Sequence, residues 1–139
     1  MERHAIVGRV RRMCVRRPIG GVQVNFDVAG YFRRGIELVI MRIGWVTGSV
    51  YEWTSHWRIC MELGIPPEDV LAVRDWQSSQ RLSAADRAVL QAADETLAGK
   101  TISDATWAAI TRHVTVPGQQ VELVIDIANW IFASIFLPN

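Results

Sequence analysis

Glu52 and His56 stand four residues apart, directly after a Thr47-Gly48-Ser49 break. On a helix, residues i and i+4 share a face. A helix that starts after the break therefore brings a carboxylate beside an imidazole. The pair falls near the helix N-terminus, where unpaired backbone N–H groups and the helix dipole favour anions. Those are the ingredients of an acid/base site for an anionic substrate. Glu37, one helix earlier, can reach the same pocket. Trp45, Tyr51, Trp53 and Trp57 surround the pair, so a partly dry pocket is feasible. Dryness shifts pKa values and strengthens charge interactions, as proton transfer requires.

The same residues have a purely structural use. Ser49-Val50-Tyr51-Glu52 fits a capping box, with Ser at the N-cap and Glu at N3. In that reading Ser49 and Glu52 only satisfy orphan N–H groups, and His56 is an ordinary second-turn histidine. Other chemistries find less support. Glu52 and His56 offer two metal ligands, whereas zinc sites use three or four, and His4 and His113 have no matching spacing. Ser49 lacks the G-x-S-x-G elbow of a nucleophilic serine. No P-loop or G-x-G-x-x-G occurs.

The elements that must position these residues are helices. Apolar residues at 36, 39, 40 and 43 follow the spacing of a buried helix face from Ile36 onward. A second helix is predicted over about 50–63, with Gly64 suited to its C′ position. Pro66 and Pro67 open a helix over about 67–76, and Glu68 and Asp69 suit its first turn. Ser83 precedes a helix to about Leu97 that Gly99 ends; Ser103 precedes one to about Arg112. Pro117-Gly118 reads as a turn, and 119–137 as a last, strongly apolar helix. Glu122, Asp126 and Asn129 mark one polar stripe on it, so it reads as a core or subunit-interface helix rather than a membrane span. Before Ile36 the pattern is hard to read: the basic start suits a short helix or strand, Pro18-Ile19-Gly20-Gly21 is a breaker, and VQVNFDV suits a strand or loop. With almost no strands and short connections, the fold class is an all-α, single-domain helical bundle. A basic segment, 1–34, precedes a helical domain, 35–139.

Composition agrees with one packed domain. The chain has 139 residues, half of them hydrophobic and 21% charged, enough for a packed core and against the pattern of a disordered chain. Its net charge is +1, unevenly distributed. Residues 1–35 hold eight Arg against Glu2 and Asp27, while the remainder holds seven Lys/Arg against twelve acids. Such a start suits an anionic partner or a mitochondrial presequence, although it is poor in Ser and sits on no nucleic-acid-binding module. Cys14 and Cys60 share no motif and no secretory signal is present, which points to a reducing, cytoplasmic setting.

ELVIMRIGWVTGSVYEWTSHWRICMELGI (37–65) and the later KTISDATWAAI resemble the carboxymuconolactone decarboxylase family, which includes the alkyl hydroperoxidase D-type proteins. The resemblance spans about residues 35–137. The peroxidase branch uses a Glu, eleven residues, a Cys, two residues, a Cys, three residues and a His. Here those places hold Glu37, Ser49, Glu52 and His56. A C-x-x-C pair attacks peroxide with one thiolate and resolves the sulfenic acid with the other; Ser49 and Glu52 can do neither. The decarboxylase branch carries Glu-x-x-x-His in the corresponding helix, and Glu52 and His56 match it.

The resemblance implies a cofactor-free lyase of aromatic catabolism, acting on γ-carboxymuconolactone or a related small cyclic acid. His56 would stabilise the charge left by CO₂ or deliver the proton, with Glu52 orienting its ring and Glu37 nearby. Ser49, Tyr51 and Trp53 would line the substrate. It also implies an alkyl hydroperoxidase D-like homo-oligomer, a trimer or hexamer. From the residues themselves no metal and no nucleic-acid or membrane partner is expected. Two other readings stay open. A thiol peroxidase would need an exposed, acidified Cys60 or Cys14. A non-catalytic oligomer would show filled space beside His56.

Overall fold

The computed structural model describes residues 26–137, and these form six α-helices and no strand. The helices are α1 (Phe26–Thr47), α2 (Val50–Glu62), α3 (Pro67–Ala72), α4 (Ala84–Gly99), α5 (Asp104–His113) and α6 (Pro117–Phe136). A single 3₁₀ turn, Val73–Asp75, continues α3.

Local chemistry sets most boundaries. Gly48 takes a left-handed conformation (φ 73°) between α1 and α2, where a side chain would be strained. Ser49 then caps α2, its hydroxyl accepting from the Glu52 N–H. Gly64 does the same past the end of α2 (φ 72°). Ser83 and Asp86 form a complete capping box on α4, and Ser103 caps α5.

Helix α1 is the centre of the bundle and touches α2, α4 and α6. From Glu37 to Gly44 nearly every residue is buried, as expected of a helix enclosed on all sides. Leu38 and Met41 pack on one side with Cys60, Ile65, Val70, Val73, Trp76 and Leu90. Val39 and Ile43 pack on the other with Ala92, Ala93, Ile110, Leu123 and Ile127. Two arginines pin α1 in place. Arg34 reaches Asp69 at 3.0 Å and Asp86 at 3.2 Å. Arg42 forks onto Asp94, at 2.7 and 3.0 Å, and also donates to the carbonyls of Val73 and Arg74. Bidentate, charge-assisted bonds of this kind fix orientation as well as adding energy.

Three boundaries differ from those the pattern predicts. Helix α1 begins at Phe26, ten residues before the apolar periodicity becomes clear. Gly30 and the Arg33-Arg34-Gly35 run hide it, yet Phe32 and Ile36, four apart, both pack on the core, so the last residues of the expected strand or loop are helical. Lys100, not Gly99, takes the left-handed conformation that ends α4 (φ 60°). Pro117 is the first residue of α6 rather than part of a turn, a position where its missing N–H matters least. The expectations for residues 1–25, presequence included, lie outside the described residues. No helix among the described residues is long and apolar enough to cross a membrane.

Candidate functional site

Helices α1 and α2 form a hairpin, and the break between them sets its register. The Ser49 N–H donates to the Gly44 carbonyl at 2.9 Å. Glu37 and Gly44 lie seven apart on α1 and so share one face. Glu52, His56 and Cys60 form the buried face of α2. In the hairpin Glu37 meets His56, and Gly44 meets Glu52. A methyl group on Gly44 would lie 3.2 Å from the Glu52 Cβ and 3.3 Å from the Trp53 backbone nitrogen. Glycine there is what lets the two helices approach.

His56 Nδ1 lies 2.7 Å from Glu37 Oε2, and both side chains are almost wholly buried. A carboxylate only accepts, so Nδ1 carries the proton in this contact and Nε2 is the nitrogen left for a reacting group. This corrects the expectation that Glu52 orients the ring: the partner is Glu37, across the helix pair. On its other side His56 meets Trp130 of α6, edge-on, with ring centroids 4.5 Å apart.

Glu52 is fully buried, and neither of its carboxyl oxygens has a hydrogen-bond partner. Its backbone N–H is capped by Ser49 at 3.4 Å, but its side chain does not return the bond, so only half of the capping box forms. Glu52 therefore neither caps the helix with its side chain nor hydrogen-bonds His56. Burial pushes its carboxyl up to about 7, because an ionised group loses its water without gaining a compensating partner. Buried polar groups are satisfied in the great majority of cases, which sets Glu52 apart from every other acid in the described core.

The remaining expected site residues are placed differently. Ser49 is buried as the cap. Tyr51 is exposed and lies off the Glu52–His56 face. Trp53 packs against the Leu38–Met41 side of the core and continues outward to Trp45 and Trp57 as a tilted aromatic row. The Arg74 guanidinium sits over Trp45. The structure thus pairs Glu37 with His56, sets Glu52 one turn away on the same buried helix face, and leaves Tyr51 outside. Sequence reasoning misses Trp130, a lone Trp in an apolar helix whose inward direction depends on packing; it also misses Gly44, which breaks the apolar run of α1.

A small cavity of about 20 Å³, bounded by α1, α4 and α6, is lined by Phe32, Ile36, Val89, Leu123 and neighbours, but not by Glu37, Glu52 or His56. It has room for about one water. Among the described residues, no group of three His, Cys, Asp or Glu side chains is arranged to hold a metal ion.

Residues 32–95, from α1 into α4, match the model of the carboxymuconolactone decarboxylase family. That segment, a little under half of the chain, is similar to this family. The matched segment carries Glu37, Glu52 and His56, and Trp130 lies beyond it. A solved structure from Agrobacterium tumefaciens shares the helical architecture of this chain. That protein is described as one of unknown function, assigned provisionally to AhpD-type antioxidant defence. The likeness has a TM-score of 0.67 at 16% identity and covers 79% of this chain and 80% of the other, so it speaks to the fold alone. No curated protein matches the chain.

Proposed function

We propose that this protein is a carboxymuconolactone decarboxylase-like, cofactor-free acid/base lyase, acting on a small carboxylated lactone or related cyclic acid. The observation that carries the proposal is the buried, unpartnered Glu52 carboxyl one helical turn from His56, whose Nδ1 is held by Glu37. Strongly perturbed carboxyls of this kind concentrate at functional sites. A carboxyl that titrates near neutrality is matched to proton transfer at neutral pH.

In the proposed reaction the bond to the departing carboxylate breaks. Its electron pair enters the conjugated lactone and CO₂ leaves. His56 in its doubly protonated form, with Nδ1–H donated to Glu37, turns Nε2–H toward the developing negative charge. Protonated Glu52 delivers its proton to the carbanion carbon and regains one from solvent. The net change is one proton taken up and one CO₂ released.

An AhpD-type thiol peroxidase fits the geometry less well. Cys60 is buried, and burial together with the Glu37 charge pushes its thiol up to about 12. A thiol in that state supplies almost no thiolate to attack a peroxide. A non-catalytic role is favoured by one feature: Trp130 packs on His56 and Glu52 is sealed from solvent, so a substrate enters only if that packing opens.

The test is CO₂ release from γ-carboxymuconolactone by the native protein and by His56→Ala. Release that falls about 10²–10⁴-fold in the variant is the expected result. Equal release by both would remove His56 from the chemistry. No release by either would rule out this substrate and add weight to the non-catalytic reading.

A further inference from the structure

The walls around His56 are unequal. Glu37, Glu52 and Cys60 are buried, as is His56 itself. Trp130 is only partly buried, and its ring stands 4.5 Å from the His56 ring. Among the described residues its Nε1–H makes no hydrogen bond, yet it is not sealed from solvent as the Glu52 oxygens are. Trp76 shows the opposite arrangement: it is buried, and its Nε1–H donates to Asp94 at 2.9 Å. Buried tryptophans usually satisfy that group. Trp76 is anchored by a bond, whereas Trp130 is held by packing alone.

We infer that Trp130 is the gate of the His56 site: its indole swings outward about its side-chain torsion, and a planar ring bearing a carboxylate takes the place it leaves. Helix α6 itself stays. Its inner face is seated in the core by Leu123 and Ile127, whereas its outer stripe, with Ile125, Phe132 and Ile135, is exposed. Lifting the helix would bring Leu123 and Ile127 into water; turning one side chain exposes neither. On a helix the first side-chain torsion has two common wells. A ring that reaches the surface exchanges between them without breaking a backbone bond.

The space that the indole leaves is flat and bordered by the His56 ring, with Glu52 one turn away on the same helix face. A ligand that fills it needs a flat ring and a group that pairs with His56 Nε2, the nitrogen that Glu37 leaves free. A carboxylate accepts there, in a charge-assisted bond when His56 is protonated. A puckered ring with the same carboxylate is thicker than the space. With the indole in place, water is kept from Glu52 and His56; a bound ring takes over that exclusion. The ligand class rests on the acid/base reading above, and the gate rests on geometry alone.

The test reads the rate at which diethyl pyrocarbonate modifies His56, by peptide mass spectrometry. His113, exposed at the end of α5, serves as internal reference. The variants are Trp130→Ala, Trp130→Phe and Ile131→Ala. Ile131 packs on the same core as Trp130, so its truncation loosens α6 and leaves the indole in place. Trp130→Ala should speed His56 modification about tenfold or more, because the rate follows the fraction of molecules that are open. Trp130→Phe should fall between it and the native protein, and Ile131→Ala should stay near native. Equal acceleration in Ile131→Ala would mean that the whole helix lifts, and would overturn the gate. So would a native rate in the Trp130 variants; if Trp130→Ala does not fold, Trp130→Phe decides alone. For the ligand, benzoate and cyclohexanecarboxylate carry one carboxylate on a planar and on a puckered ring. Benzoate should slow His56 modification in the native protein, with His113 unchanged, and cyclohexanecarboxylate should not. Equal protection by both, or none by either, would overturn the ligand class. None of these readouts needs turnover. A protein that releases no CO₂, yet has a Trp130-gated His56 that benzoate protects, would contradict the proposed reaction and support the gate.

Discussion

Glu52 is a carboxyl enclosed by protein with nothing to bond, and its titration reports on the whole account. Its folded-state value, about 7, lies above the ordinary 4.5. A raised carboxyl value means that the fold prefers the protonated form. Below about 4.5 the group is protonated whether the chain is folded or not. As pH rises through 7 the fold must accommodate a buried charge, and stability is lost. Native protein is therefore expected to be less stable at pH 8 than at pH 5, by on the order of 2–3 kcal/mol from this group. Glu52→Gln should flatten that part of the profile, as read by urea unfolding at both pH values; an equally steep profile in the variant would assign the dependence to other groups. Glu37→Gln keeps an acceptor for His56 Nδ1 and loses only the charge, so CO₂ release should fall less than in His56→Ala. The Glu52–His56 spacing was legible in the sequence, because one helical turn is a local rule. That Glu37 takes His56, leaving Glu52 unbonded, was not legible, because it depends on how two helices cross.

At the level of elements, the hairpin of α1 and α2 makes the candidate site, and Gly44 is a point of close approach between the two helices. Gly44→Ala pushes a methyl against the Glu52 Cβ and the Trp53 backbone, and backbone cannot swing aside as a side chain can. A loss of about 1–3 kcal/mol is expected, measured as a lowered unfolding midpoint, together with a changed Glu52 titration because the helices part there. A midpoint unchanged within error would mean that the hairpin relaxes freely. Glu95 ties α4 to the start of α5 by accepting from the Ser103 N–H and from the Ser103 and Thr106 hydroxyls. The Ser103 and Thr106 bonds hold its carboxyl down at about 2. Its contribution is present above about 4.5 and lost as pH falls through 2. Glu95→Gln should therefore weaken the protein at pH 7 and make little difference near pH 2, checked by thermal unfolding at each. The Ser caps of α2, α4 and α5 were readable because a cap is written in three or four adjacent residues. The start of α1 was not, since Arg33 and Arg34 interrupt the apolar period and Arg34 is held by acids from α3 and α4.

For the whole molecule, hydropathy period and short connections sufficed for an all-α bundle, and the family match and shared architecture agree. The apolar excess of α6 was also legible, but not its division into an inner face on the core and an outer stripe, which needs the position of α1. A central, fully enclosed helix offers its polar residues no water. Each must therefore find a partner: Arg34 and Arg42 find acids and Glu37 finds His56, whereas Glu52, buried on the facing helix α2, finds nothing. The claim that Glu52 is kept for proton transfer is tested most directly by the pH profile of CO₂ release from γ-carboxymuconolactone, native against Glu52→Gln. The account predicts that native release declines as pH rises through about 7. It also predicts that Glu52→Gln is slower by about 10²-fold or more and has lost that decline. A Glu52→Gln protein that releases CO₂ at the native rate, with the native pH profile, would contradict it.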